Sequence, residues 1–184
     1  MNEKFDLSIC IPTYNRADFL DYCLQRTIDQ IKKIPTKKIE IFVIDNGSTD
    51  STKEILKKHS LNYPFLSFRS RPSTIHMAEQ TKDSFLSGQG EWIVRLADDD
   101  SVDVSTICSH IDNVKDQQVC AIYCDWFAWN DETNQPLHGY FNVDKDQTFR
   151  PNADELQLLN FVFAKNVLPE TGIYRREKLL NAIV

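Results

Sequence analysis

Three consecutive carboxylates, Asp98-Asp99-Asp100, are the residues of this sequence best suited to chemistry. Side by side they repel one another, which destabilises a fold unless positive charge sits among them. A hard divalent cation meets that need, and Mg²⁺ or Mn²⁺ prefers carboxylate oxygens together with substrate phosphates. An isolated acidic triplet reads as a solvated turn. Here it directly follows the apolar run Trp92-Ile93-Val94-Arg95-Leu96, which favours the metal reading of Asp98, Asp99 and Asp100. A calcium loop fails on spacing. Counted from Asp98, the sixth and twelfth positions hold Asp103 and Ser109, where glycine and glutamate are required.

Two further polar clusters end apolar runs. Pro12-Thr13-Tyr14-Asn15-Arg16 follows Leu7-Ser8-Ile9-Cys10-Ile11, and Asp45-Asn46-Gly47-Ser48 follows Ile39-Glu40-Ile41-Phe42-Val43-Ile44. Asp45 has two readings. It is a turn or cap residue, or it accepts a hydrogen bond from a nucleobase imide N–H with Thr13 or Tyr14 holding the base. The second reading suits uracil or thymine, since cytosine lacks the imide donor.

The elements that must position these clusters alternate. The runs beginning at Leu7, Ile39, Leu66 and Trp92 are short, apolar and bounded by turn residues, as buried strands are. Between them, Leu20, Cys23, Leu24, Thr27, Ile28 and Ile31 recur at helical spacing, and Pro35 stops that helix. Asp18 is the expected cap of the first helix, and Ser51 with Glu54 forms a capping box for the second. Ile75 to Leu86 predicts a third helix, and Ile107, Ile111 and Val114 mark a fourth. Beyond them, Cys120 to Trp129 is apolar and β-rich, with a turn at Asn134-Gln135-Pro136 and a return strand from Leu137 to Val143. A helix over 154–164, a short strand at 172–174 and a last helix from Arg176 complete the pattern. Alternation of this kind predicts an α/β fold with a mainly parallel sheet flanked by helices. In such sheets ligands bind at the carboxyl ends of the strands, where all three clusters fall.

The chain has 184 residues, enough for one domain over 1–184 with a full core and thin for two. Its net charge of −6 argues against a nucleic-acid surface. The start Met1-Asn2-Glu3-Lys4-Phe5-Asp6 does not resemble a leader peptide, and no stretch approaches the ~18 uninterrupted apolar residues of a membrane span. Five cysteines without a CxxC pair read as reduced thiols, mostly in the core, of a cytoplasmic protein. Gly88-Gln89-Gly90 is not the dinucleotide fingerprint, because residue 93 is Ile and the glycines precede a strand. The four histidines show no ligand spacing, and there is no P-loop and no GxSxG elbow.

Taken together, these segments resemble the family 2 inverting glycosyltransferases of the GT-A fold, in particular the bacterial members that build surface polysaccharides. The resemblance is carried by Ser8 to Arg16, by Ile41 to Asp50, and by Gly90-Glu91-Trp92-Ile93 leading into Leu96-Ala97-Asp98-Asp99-Asp100. It implies that Pro12, Thr13 and Tyr14, continuing into Asn15 and Arg16, line a nucleoside pocket. It implies that Asp45 and Asn46 lie at the base, and that Asp98 and Asp100 stand at DxD spacing, one near the ribose and one on the metal. Asp99 can replace either in the triplet. The implied cofactor is Mn²⁺ or Mg²⁺, acting as a Lewis acid on a departing nucleoside diphosphate. The implied partners are a UDP- or dTDP-sugar donor and a glycan or lipid-linked glycan acceptor, the latter placing the protein peripherally at the inner membrane face.

Two departures stand out. Where many members carry Ala-Arg-Asn before the metal strand, this chain reads Gln80-Thr81-Lys82-Asp83, so Lys82 becomes the candidate cation for the diphosphate. The catalytic domain of the family is commonly longer. The general base is expected in the later half, with Glu170 the first candidate and Asp125 the second, or beyond residue 184 in a C-terminally truncated domain. Such a domain would dimerise to cover exposed surface. A nucleotidyltransferase, which would carry a Gly-rich basic signature after the first strand, and a nucleotide-binding domain without transfer activity are the alternatives.

Overall fold

The computed structural model of the protein describes residues 4–116, 118–124, 127–130, 132–133, 135–139, 147–149, 154–164 and 172–183. The apolar runs form strands β1 (Leu7–Thr13), β2 (Ile39–Asp45), β3 (Leu66–Ser70) and β4 (Trp92–Arg95). Helices α1 (Ala17–Ile31), α2 (Thr52–Asn62), α3 (Met77–Ser87) and α4 (Val104–Asn113) alternate with them. The later chain adds β5 (Ala121–Tyr123), β6 (Phe127–Asn130), β7 (Gln135–Gly139), α5 (Glu155–Ala164), β8 (Gly172–Arg175) and α6 (Arg176–Ile183). Six strands make one sheet in the order β3-β2-β1-β4-β8-β5, and β6 pairs with β7 in a separate hairpin. The pairs β1·β2, β1·β4 and β2·β3 are parallel, whereas β8 returns antiparallel to β4. The expected mainly parallel α/β sheet is therefore the observed one, with an antiparallel return strand.

Burial explains why the runs are continuous rather than alternating. β1 is covered on both faces, and Leu7, Ile9, Cys10 and Ile11 have no exposed surface. The stripe Leu20, Leu24 and Ile28 of α1 is equally buried, as are Ile41, Val43, Ile44, Leu56, Ile93 and Val104. Each such side chain contributes about 1.5–3 kcal/mol of transfer free energy. Glu40 is a carboxylate within this core, and it accepts from Ser8 Oγ at 2.5 Å and from the Gln89 amide at 2.6 Å. Ser8 Oγ in turn accepts from the Gly90 amide at 2.7 Å, so the buried carboxylate ties the turn before β4 to β1 and β2.

The capping differs from the sequence reading. Ser51 sits at the start of α2 without a side-chain cap, and Asp18 does not cap α1. One residue, Asp50, serves both helices, with Oδ2 accepting from the Ala17 amide at 3.1 Å and Oδ1 from the Thr52 amide at 3.1 Å. Burial pushes the Asp50 carboxyl up, but hydrogen bonds from Thr52 and Ala17 outweigh this and hold it below its ordinary value. The residues from Cys120 to Trp129 form no single strand, because β5 joins the large sheet and β6 the hairpin. Pro136 lies inside β7 rather than in a turn, next to the register shift at Ala128/Trp129, where the missing N–H of a proline is tolerated. Cys10, Cys23 and Cys108 are buried as expected, but Cys120 is exposed. Burial, ahead of the charge of Glu40, pushes the Cys10 thiol up to about 12.

The chain gathers into two compact units, Met1–Ile122 with Ile173–Val184, and Tyr123–Gly172. The first holds the strand ends of interest. The second contains the hairpin and α5, with Phe149 against Phe161 at 5.2 Å between ring centroids. Among the described residues no helix is long and apolar enough to cross a membrane.

Candidate functional site

Register places the three polar clusters on one edge. Thr13 pairs with Asp45 across β1 and β2, and Cys10 pairs with Arg95 across β1 and β4. The ladder continues past the strands, with the Asn46 amide donating to Thr13 O at 2.9 Å and the Leu96 amide to Cys10 O at 3.0 Å. An open cleft of about 480 Å³ lies at this edge. Pro12, Thr13, Tyr14, Arg16, Asn46 and Asp98 line it, together with Thr74, Ile75, Met77, Gln80, Thr81 and Arg95.

Thr13 and Arg16 organise the acidic triplet. Asp98, only 5% exposed, accepts from Thr13 Oγ1 at 2.6 Å and from Arg16 Nη1 at 3.0 Å. The same guanidinium nitrogen reaches Asp99 at 2.6 Å. Hydrogen bonds donated to Asp98 and then to Asp99 raise the Arg16 pKa further, so its charge is permanent. Asp100 is different: no hydrogen bond or ion pair engages its carboxylate among the described residues. Burial, then the charge of Asp99, push its carboxyl up, while Arg95 and Arg16 pull it partly back.

The opposite wall is built by loop-to-loop hydrogen bonds. Asn15 takes a left-handed conformation at φ 51°, which asparagine tolerates. There its amide donates to Ser48 Oγ at 2.8 Å and its Oδ1 accepts from the Thr49 amide at 2.8 Å. Asn46 exchanges two 3.0 Å hydrogen bonds with the backbone of Ile75. Asp45 is fully buried beneath this wall. Its Oδ1 accepts from the Ser48 amide at 2.9 Å, the turn role, but its Oδ2 has no partner. Gln80 repeats the pattern from α3: Nε2 donates to Ile44 O at 2.7 Å and Oε1 is unsatisfied. Buried acceptors of this kind are normally paired; Gln80 lines the cleft, and Asp45 lies at the end of β2 beside it.

Several sequence-derived candidates lie elsewhere. Lys82 is exposed and does not line the cleft. Arg95 lines it instead, and its Nε is buried without a partner. The signal for Arg95 was present, as the one charge interrupting the apolar run of β4. Gln80 carried no such signal. Glu170 and Asp125 lie outside the described residues.

The donor set fits a hard cation only with help from a ligand. No three His, Cys, Asp or Glu side chains among the described residues gather into a metal cage. Asp98 is committed to Thr13 and Arg16, whereas no hydrogen bond or ion pair engages the Asp100 carboxyl among the described residues. One or two carboxylates plus phosphate oxygens is the coordination Mg²⁺ and Mn²⁺ accept.

Residues 8–179 match the sequence profile of glycosyl transferase family 2. An uncharacterized glycosyltransferase of Mycoplasma genitalium is 30% identical over 129 residues, covering 66% of this chain and 41% of that protein. Among solved structures, S. aureus TarS 1-349 in complex with UDP-GlcNAc superposes with a TM-score of 0.68 at 19% identity, over 96% of this chain and 47% of that one. A mannosyltransferase from Pyrobaculum calidifontis in complex with GDP-Man and Mn²⁺ gives 0.64 at 19% identity, over 98% and 47%. At these identities the likeness is one of fold, and that fold is GT-A. The chain spans less than half the length of each of these proteins.

Proposed function

The chain belongs to glycosyl transferase family 2, and on that premise we propose that it transfers a sugar from a nucleoside-diphosphate donor to an acceptor hydroxyl with inversion. The observation that carries this reading is the cleft at the carboxyl ends of β1, β2 and β4, where Thr13 and Arg16 hold Asp98. The unsatisfied Asp45 Oδ2 accepts the imide N–H of the base, which favours a UDP- or dTDP-sugar. Pro12, Thr13 and Tyr14 enclose the nucleoside, and Asn46 holds the far wall through Ile75. Asp98, fixed by its two donors, faces the ribose, and Asp100 with Asp99 holds the cation. When bound, Mn²⁺ or Mg²⁺ supplies charge neutralisation on the departing diphosphate.

The acceptor hydroxyl, on a glycan or lipid-linked glycan, loses its proton to a general base as its oxygen attacks the anomeric carbon in line with the leaving phosphate. Glu170 is the first residue to test in that role and Asp125 the second. A single displacement of this kind inverts the anomeric centre.

The test is calorimetric titration of UDP, dTDP, CDP and GDP, with and without Mn²⁺, into the protein and into the Asp98→Ala/Asp99→Ala/Asp100→Ala variant. Metal-dependent binding of one diphosphate, lost in the variant, is the expected result. A folded protein that binds none of the four refutes the donor site. Release of diphosphate only when an acceptor is present separates transfer from binding alone.

A further inference from the structure

A guanidinium N–H that leaves water without gaining a partner is costly. Arg95 is half-buried, and its Nε is buried and unsatisfied. No hydrogen bond or ion pair engages the side chain among the described residues. It is the last residue of β4, three residues before Asp98, and it faces the same cleft as Thr13, Gln80 and Thr81. Among the described residues, the other cation lining that cleft is Arg16, which is already committed to Asp98 and Asp99. Lys82, the cation the sequence pointed to, is exposed and off the cleft. Among the described residues lining the cleft, Arg95 is therefore the cationic donor left free near the acidic triplet.

We propose that Arg95 is the protein's own cation for the donor's diphosphate, supplied from strand β4 instead of helix α3. This rests on the nucleotide-sugar reading of the cleft. The chemistry selects the ligand. A planar guanidinium presents parallel N–H donors that match two phosphate oxygens, and it stays charged at every working pH. A diphosphate also brings oxygens that a cation on Asp100 needs, so one dianion satisfies both unengaged groups. Arg95 would then hold the diphosphate from the strand side while the carboxylates and their ion hold it from the loop side.

The experiment compares phosphate number at constant base. The diphosphate that binds best among UDP, dTDP, CDP and GDP is titrated with Mn²⁺ alongside its monophosphate and its nucleoside. The titrations use the wild type, Arg95→Met and Arg95→Lys, with thermal unfolding of each to establish folding. Arg95→Met is expected to weaken the diphosphate on the order of tenfold or more, as loss of a charged hydrogen bond implies, and to leave the nucleoside within about twofold. Arg95→Lys, which keeps the charge and loses the fork, falls between them and carries the test if the methionine variant does not fold. Wild-type affinity for the diphosphate in the folded variant overturns the proposal and leaves the donor site standing. Equal weakening of nucleoside and diphosphate also overturns it, since Arg95 would then only shape the base pocket. A wild type that binds no diphosphate refutes the donor site itself, and this assignment with it.

Discussion

Replacing Gly47 with alanine adds one methyl group where the loop after β2 meets the Ser73-Thr74 backbone. Gly47 lies in the loop after β2 at φ +80°, a conformation that costs an L-residue about 1–2 kcal/mol. The new Cβ would stand 2.9 Å from the Ser73 carbonyl carbon and 3.2 Å from Ser73 Cα and the Thr74 nitrogen. These are backbone atoms, which cannot swing aside as a side chain would. Forcing them apart adds overpacking of about 1–3 kcal/mol. The sum is a loss of about 2–5 kcal/mol in folding stability, read by urea denaturation followed by circular dichroism. The clash also pushes on Thr74 and Ile75, which line the cleft, so nucleotide affinity should fall in the same variant. Asn46→Ala is the comparison, because it removes the two hydrogen bonds to Ile75 without adding volume and costs about 1 kcal/mol for each. If Gly47→Ala unfolds within about 0.5 kcal/mol of the wild type, as an ordinary surface substitution does, and binds nucleotide unchanged, the close approach of these two loops is not as described.

Other changes test separate parts of the argument. Gly90→Ala would place a methyl 2.7 Å from Leu7 C and Ser8 N, both backbone, so a loss of about 1–3 kcal/mol in stability is expected by denaturation. Thr13→Val leaves one oxygen of the buried Asp98 unpaired, which should cost about 1–3 kcal/mol of stability and weaken Mn²⁺-dependent nucleotide binding in calorimetry. Asp100→Asn removes a carboxylate whose pKa is raised in the folded protein. A raised acid pKa means that the folded state holds the proton more tightly. The wild type should thus match the variant below the ordinary Asp range of about 3.9 and fall behind it as pH rises through the folded value. Solvent screening keeps that gap to a few tenths of a kcal/mol, visible as a small difference in Tm between pH 4 and 7. In the same group, Mn²⁺ affinity should rise with pH over that interval, because only the deprotonated carboxylate binds a cation.

Much of the scaffold was legible in the chain because buried parallel strands and amphipathic helices write their burial into local patterns. The unbroken run at Leu7 to Ile11 and the helical spacing from Leu20 to Ile31 each report one face or two faces covered, and the structure covers them so. Turn residues after each run also located the strand ends, and the parallel sheet then brought those ends to one edge. Local pattern carries no record of which distant group a side chain meets. Arg16 reaches Asp98 across 82 residues, and Asp50 caps two helices of which only one is its neighbour in sequence. Lys82 and Arg95 were both plausible cations on charge alone. Only packing of α3 against β1, β2 and β4 turned the lysine to solvent and left the arginine facing the cleft. Sequence alone determined the elements and the chemical types at their ends, since those depend on neighbours within a turn or two. Tertiary structure decided which charges pair and which buried oxygens stay unsatisfied, because those depend on distances that close only when the sheet forms.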